Sequence, residues 1–145
     1  YTVTPGEKTT TISGKGKAGL KQEENYYFFY LPVCYKGITG KSYAYYNTSR
    51  SKNLYLPASV DENYSYDIQL PENLTLCTPI QEKKIDNPIG SFKITLTSEG
   101  SSLHIELALQ IKKQLITPAE YPAFRSLITE WTDRTRKPIL FKTVQ

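Results

Sequence analysis

Acyl-transfer chemistry needs a nucleophile, a base within hydrogen-bond reach and a group that orients the base. The sequence offers one histidine, His104, and two cysteines, Cys34 and Cys77. His104 lies in Leu103-His104-Ile105-Glu106-Leu107-Ala108-Leu109-Gln110-Ile111, where apolar and polar residues alternate. A period of two puts His104, Glu106 and Gln110 on the wet face of a strand. A base there stands in water, and no spacing brings either cysteine to it. Two isolated cysteines and one histidine do not complete a four-ligand zinc set. Cys34 and Cys77 could pair in an oxidising compartment or stand as small buried residues, and the second is expected. No catalytic residue, metal or cofactor is predicted.

Other chemistry fares no better. Gly14-Lys15-Gly16-Lys17-Ala18-Gly19 resembles a phosphate loop only loosely, because it lacks the Gly-Lys-Ser/Thr ending and no helical pattern follows it. Asp61, Glu62 and Asp86 fall in predicted loops and follow no paired-carboxylate pattern of the glycosidase kind. Asn47, Asn63 and Asn73 each open an Asn-x-Ser/Thr sequon, a pattern that arises often by chance. The feature with binding potential is aromatic. Tyr43, Tyr45 and Tyr46 follow Gly37 and Gly40, and exposed loop tyrosines can stack on sugars or anchor a protein. They are the candidate ligand-binding residues, for a glycan or a protein.

The elements that must position these residues come from a chain of 145 residues, the length of a single domain spanning 1–145. A chain of this size buries enough surface to fold without disulfide or metal. It has a net charge of +4, yet its basic residues are scattered, which predicts a solvated surface and no nucleic-acid partner. No apolar run approaches the roughly 20 residues of a membrane span. There is no methionine, and the chain opens at Tyr1 within a polar stretch, so Tyr1 is not expected to be a natural translation start.

Short apolar runs alternate with turn signals, as in a sandwich or barrel. Phe92, Ile94 and Leu96 alternate with Lys93, Thr95 and Thr97; Ser98-Glu99-Gly100-Ser101 then joins them to the Leu103 strand as an antiparallel hairpin. Tyr64, Tyr66, Ile68 and Leu70 form a further strand ending at Pro71, expected to pair with the Leu74–Ile80 run. Asn25 to Leu31 is aromatic on both sides, which predicts a central strand covered on both faces. Strands are also expected around Thr9–Ser13, at Leu54–Leu56 and at Ile139–Phe141. One helix is predicted. Thr117-Pro118-Ala119-Glu120 has the form of a capping box, and Tyr121, Phe124, Ile128 and Trp131 recur at helical spacing. Pro122 removes an early amide donor, so the regular helix is expected to start near it, after a tight turn. Arg134, Arg136 and Lys137 suit a helix C-terminus. The predicted fold is mainly β: a two-sheet antiparallel sandwich with one C-terminal helix packed on it.

The second half invites comparison with a family. Tyr66-Asp67-Ile68-Gln69-Leu70-Pro71-Glu72-Asn73, then Gly90-Ser91-Phe92, the strand Leu103 to Lys113, Pro118-Ala119-Glu120-Tyr121-Pro122-Ala123-Phe124-Arg125 and Ile139-Leu140-Phe141-Lys142 follow one another in order. This series resembles the C-terminal β domain, of unknown function, found after the transglutaminase-like core of certain secreted bacterial proteins. The resemblance spans roughly Tyr64 to Lys142; the first half fits in layout only, through Tyr30-Leu31-Pro32 and Arg50 to Pro57. It implies a non-catalytic accessory domain whose partners are the preceding domains of the same polypeptide, in a secreted, periplasmic or cell-envelope location. The Cys-His-Asp machinery of that family belongs to a preceding domain, so no catalytic residue carries over. The alternative is a ligand-binding module that uses the loop tyrosines.

Overall fold

A computed structural model of the chain describes residues 1–6, 9–32, 38, 49–133 and 138–144. In chain order the elements are β1 (Thr2–Pro5), β2 (Thr10–Ser13), β3 (Lys21–Glu23), β4 (Tyr26–Tyr30), β5 (Leu54–Tyr55), β6 (Val60–Gln69), β7 (Leu74–Leu76), β8 (Gln81–Asn87), β9 (Gly90–Glu99), β10 (Ser102–Ile111), β11 (Leu115–Ile116), α1 (Tyr121–Trp131) and β12 (Pro138–Thr143).

The alternation around His104 produces the backbone of the fold. β10 is extended from end to end and lies between β6 and β9 in an antiparallel sheet of order β6-β10-β9-β8. Leu103, Ile105, Leu109 and Ile111 point to one face and are buried, as are Phe92, Ile94 and Leu96 beside them on β9. The predicted β9–β10 hairpin forms, with Glu99 opposite Ser102 and Gly100-Ser101 as a two-residue turn. Gly100 sits at φ +58°, the positive value that the first position of a type II′ turn requires.

Two covers share the apolar face of this sheet. Near the Gly100 turn it meets a second sheet of order β3-β4-β12-β7, and Leu31, Leu70, Leu74, Ile139 and Phe141 pack with Leu96, Leu103 and Ile105. At the other end it meets α1, which buries Tyr121, Phe124, Leu127, Ile128 and Trp131 against Phe92, Ile94, Leu109 and Ile111. The short pair β5–β11 adds Leu54 and Ile116 to that second cluster. Each large apolar side chain buried in this way contributes about 1.5–3 kcal/mol. Over the described residues the molecule is thus mainly β, a sandwich with one helix, as expected.

Three details depart from expectation. The Tyr64 strand does not pair with the Leu74 run. β6 pairs with β10, whereas β7 pairs with β12 in the other sheet. The chain crosses between sheets at Leu70 to Leu74, both of which are buried in the inter-sheet core. Both strands need cover for one apolar face, and facing sheets supply that cover for each. The Leu74 run is also shorter than predicted; it ends at Leu76, and Ile80 is exposed.

β4 is an interior strand, between β3 and β12; Tyr27 and Phe29 pack into the core, while on its other face Tyr26 and Tyr30 are exposed and Phe28 is half-buried among the described residues. As expected, the helix starts beside Pro122, at Tyr121, after a tight turn. Residues 118–120 form a turn, Glu120 is the N-cap, and the first helical turn accommodates Pro122, as its missing amide dictates. Half of the box forms nonetheless, since the Thr117 N–H donates to Glu120 Oε2 at 3.0 Å. Hydrogen bonds from Lys113 and from Thr117 hold the Glu120 carboxyl down at about 2. α1 ends at Trp131 with no basic residue in its last turn; Arg134, Arg136 and Lys137, expected to suit its C-terminus, lie outside the described residues.

β1 and β2 pair only with each other, forming a ribbon whose residues are all exposed. The Gly14 to Leu20 segment, without regular structure, links the ribbon to β3.

Candidate functional site

The polar face of the long sheet gathers the titratable groups. On β10, His104 and Glu106 stand two residues apart and share that face; Asp67 lies directly opposite His104 on β6. His104 Nδ1 is 2.6 Å from Asp67 Oδ1, and Nε2 is 3.6 Å from Glu106 Oε1. With a carboxylate as acceptor, Nδ1 must carry the proton and donate it. Glu106 also accepts from Lys93 Nζ of β9 at 2.7 Å. The result is a row, Asp67–His104–Glu106–Lys93, crossing three strands.

The electrostatics follow from that order. The hydrogen bond to Asp67, with help from Glu106, raises the His104 pKa above its usual value. Lys93 lowers that of Glu106, and Glu106 in turn raises that of Lys93. The side chains remain open to solvent, His104 at 41% and Asp67 at 87%. Beside them is a shallow depression of about 310 Å³ whose lining includes Gln69, Thr97, Glu99 and Ser102.

A histidine–aspartate pair is the orienting half of a triad, but the other half needs a nucleophile on the far nitrogen. Here the far nitrogen faces Glu106. Of the hydroxyls in the lining, Thr97 and Ser102, the second donates to Gln69 Oε1 instead. Two flanking carboxylates favour the imidazolium, whereas a general base must be neutral with a free lone pair. Among the described residues no three His, Cys, Asp or Glu side chains converge on a metal position.

The wet-face placement of His104, Glu106 and Gln110 is as the alternation predicts. Asp67 and Lys93 carry no chemical signal of their own in the sequence. Asp67 sits at a polar position of its own alternating strand, but its meeting with His104 depends on β6 pairing with β10. Asp61 and Glu62, predicted in a loop, are in β6, and Asp86 is in β8. Cys77 is half-buried with a free thiol. Cys34 and the candidate binding residues Tyr43, Tyr45 and Tyr46 lie outside the described residues.

Comparison with known proteins adds a family. Residues 25–141 match the model of a Domain of Unknown Function with solved structure, DUF3858. The chain belongs to this family. The DUF3858 match takes in the long sheet, β4, the helix and most of β12, and leaves out the β1–β2 ribbon and β3. A solved structure, that of "a putative protease from Parabacteroides distasonis", superposes with a TM-score of 0.71 at 31% sequence identity over 84% of this chain. The chain spans only 24% of the length of that protein. No curated protein matches the chain.

Proposed function

We propose that this chain is a non-catalytic accessory domain of a larger, secreted, transglutaminase-like or cysteine-peptidase-like protein. The observation that carries the proposal is the asymmetry of coverage: 84% of this chain corresponds to 24% of the Parabacteroides distasonis protein. A segment that makes up about a quarter of a protease-like protein, and whose own histidine is flanked by carboxylates rather than by a nucleophile, is suited to support chemistry performed elsewhere in the polypeptide. The transglutaminase-like context and the secreted or cell-envelope location rest on the ordered motifs from Tyr66 to Lys142.

The test is an assay of the 145-residue chain against fluorogenic peptides and for glutamine–amine transfer. No turnover above buffer is expected. Turnover that His104→Ala abolishes would replace the proposal with a small hydrolase. Glycan-array binding that is lost when Tyr43, Tyr45 and Tyr46 are changed to Ala would replace it with a ligand-binding module.

A further inference from the structure

Lysine and arginine are spread over the chain, but few of the described ones lie where an endopeptidase can reach the bond that follows them. Such an enzyme takes its substrate as an extended, unpaired strand with one side chain in a specificity pocket. The backbone around the bond must therefore be free of ladder partners and of packing. Lys83, Lys84, Lys93 and Lys142 stand in paired strands, and Arg125 stands in α1. The Lys112 N–H donates to the Ile89 carbonyl, and Lys113 is tied to Glu120. The Arg50 guanidinium lies over the Tyr121 ring. Lys15 and Lys17 are different. They lie in Gly14 to Leu20, the longest run without regular structure among the described residues, and all seven of its residues are exposed. Among the described residues, a Cβ added at Gly16 or Gly19 would meet no atom within 4 Å, so nothing packs against that side of the backbone.

We infer that this segment is a processing site, at which a lysine-directed endopeptidase cuts after Lys15 or Lys17 and frees the sandwich from the ribbon of β1 and β2. Water adds across the Lys15–Gly16 or Lys17–Ala18 peptide bond. The C–N bond breaks, the lysine carbonyl carbon takes the hydroxyl and the nitrogen takes the hydrogen. Exposed segments of small and polar residues are the preferred places for such cuts. Gly14 and Gly16 on either side of Lys15 also let its backbone adopt the shape a cleft demands. The position is, in addition, where a cut removes least. No described residue ahead of Lys21 is buried, and β1 and β2 pair only with each other. Loss of residues 1–17 takes away neither a core side chain nor a partner of any other strand. The product keeps the whole family match, which starts at residue 25. A cut between β4 and β12 would instead divide the inter-sheet cluster between two fragments. Any polypeptide joined ahead of Tyr1 leaves with the ribbon. The inference stands apart from the accessory function proposed above, since it concerns how the sandwich is freed and not what it supports.

The experiment treats the intact chain with a small amount of a lysine-specific endopeptidase under native conditions and follows the products by mass spectrometry. The first cut is expected after Lys15 or Lys17, at least about 100-fold faster than after any other lysine, because bonds held in a ladder or a core are cut only after local opening. The trimmed product, starting at Gly16 or Ala18, is expected to melt within about 2 °C of the intact chain. The Lys15→Gln/Lys17→Gln variant is expected to melt like the parent and to keep its ribbon over the same time. A first cut after another lysine, or loss of the ribbon from the variant at the parent rate, overturns the proposal. The second measurement is the N-terminus of the protein recovered from the cells that make it, expected at Gly16 or Ala18. Recovery with the ribbon still attached, or with an N-terminus elsewhere, reduces the cut in the tube to an adventitious nick and overturns the processing site.

Discussion

Asp67 and His104 face each other in water, and their effect on the protein is one of proton affinity rather than strength. The folded-state pKa of His104 is raised above 6.5, chiefly by the hydrogen bond to Asp67. A group with a raised folded pKa stabilises the fold when protonated. That contribution is present in full below pH 6.5 and is lost as pH rises through the folded value. The chain has one histidine, so a proton NMR titration reads His104 without assignment. Its midpoint is expected above 6.5, and Asp67→Asn should move it downward. A midpoint indifferent to that change would remove Asp67 as the partner. The alternation around His104 is plain in the sequence; the identity of its partner, 37 positions earlier, is not, because cross-strand neighbours depend on which strands pair.

At the scale of elements, two glycines of one hairpin should respond to alanine for different reasons. Gly90 opens β9, and a Cβ there would lie 1.8 Å from the Gln110 carbonyl oxygen. That atom is backbone in a paired strand and has little room to yield. Gly90→Ala is therefore expected to cost about 3 kcal/mol or more, at the upper end of overpacking. Gly100 has open space but φ +58°, so Gly100→Ala should cost only about 1–2 kcal/mol, the left-handed penalty of a residue with a Cβ. Denaturant melts compare the two, and equal losses would contradict this geometry. The helix offers a third measurement. Phe124 is fully buried between Tyr121 and the long sheet. Phe124→Ala is expected to destabilise by about 3–5 kcal/mol; a loss under about 1 kcal/mol would remove it from the core. The stripe Tyr121, Phe124, Ile128 and Trp131 is legible at helical spacing, and so is the need for a delayed start at Pro122. The short strands β3 and β11 are not, since two or three residues carry too little pattern to rise above the loops around them.

Over the whole molecule, stability should reside in the two clusters on either end of the long sheet and not in the N-terminal ribbon. No residue of β1, β2 or the Gly14–Leu20 segment is buried. Removal of residues 1–19 is therefore expected to change the unfolding free energy of the chain by no more than about 0.5 kcal/mol, the range of surface changes. A larger loss in a denaturant melt would mean that the ribbon packs on the sandwich. The outer face of β4 belongs to the same scale. Its rings read in the sequence as those of a strand covered on both sides, and among the described residues Tyr26 and Tyr30 are exposed while Phe28 is half-buried.

Side-chain alternation and helical spacing are properties of neighbouring residues, so the sequence alone determined that this protein is built of layered strands with one late helix, and which faces of β6, β9 and β10 are apolar, whereas β8 went unread because Ile85 is its one apolar residue. Pairing between strands is a contest among apolar faces far apart in the chain, all of which satisfy the same pattern. Only the tertiary structure decided that β6 joins β10 rather than β7, that Asp67 therefore meets His104, and that Tyr27 and Phe29 of β4 face the core while Tyr26 and Tyr30 do not.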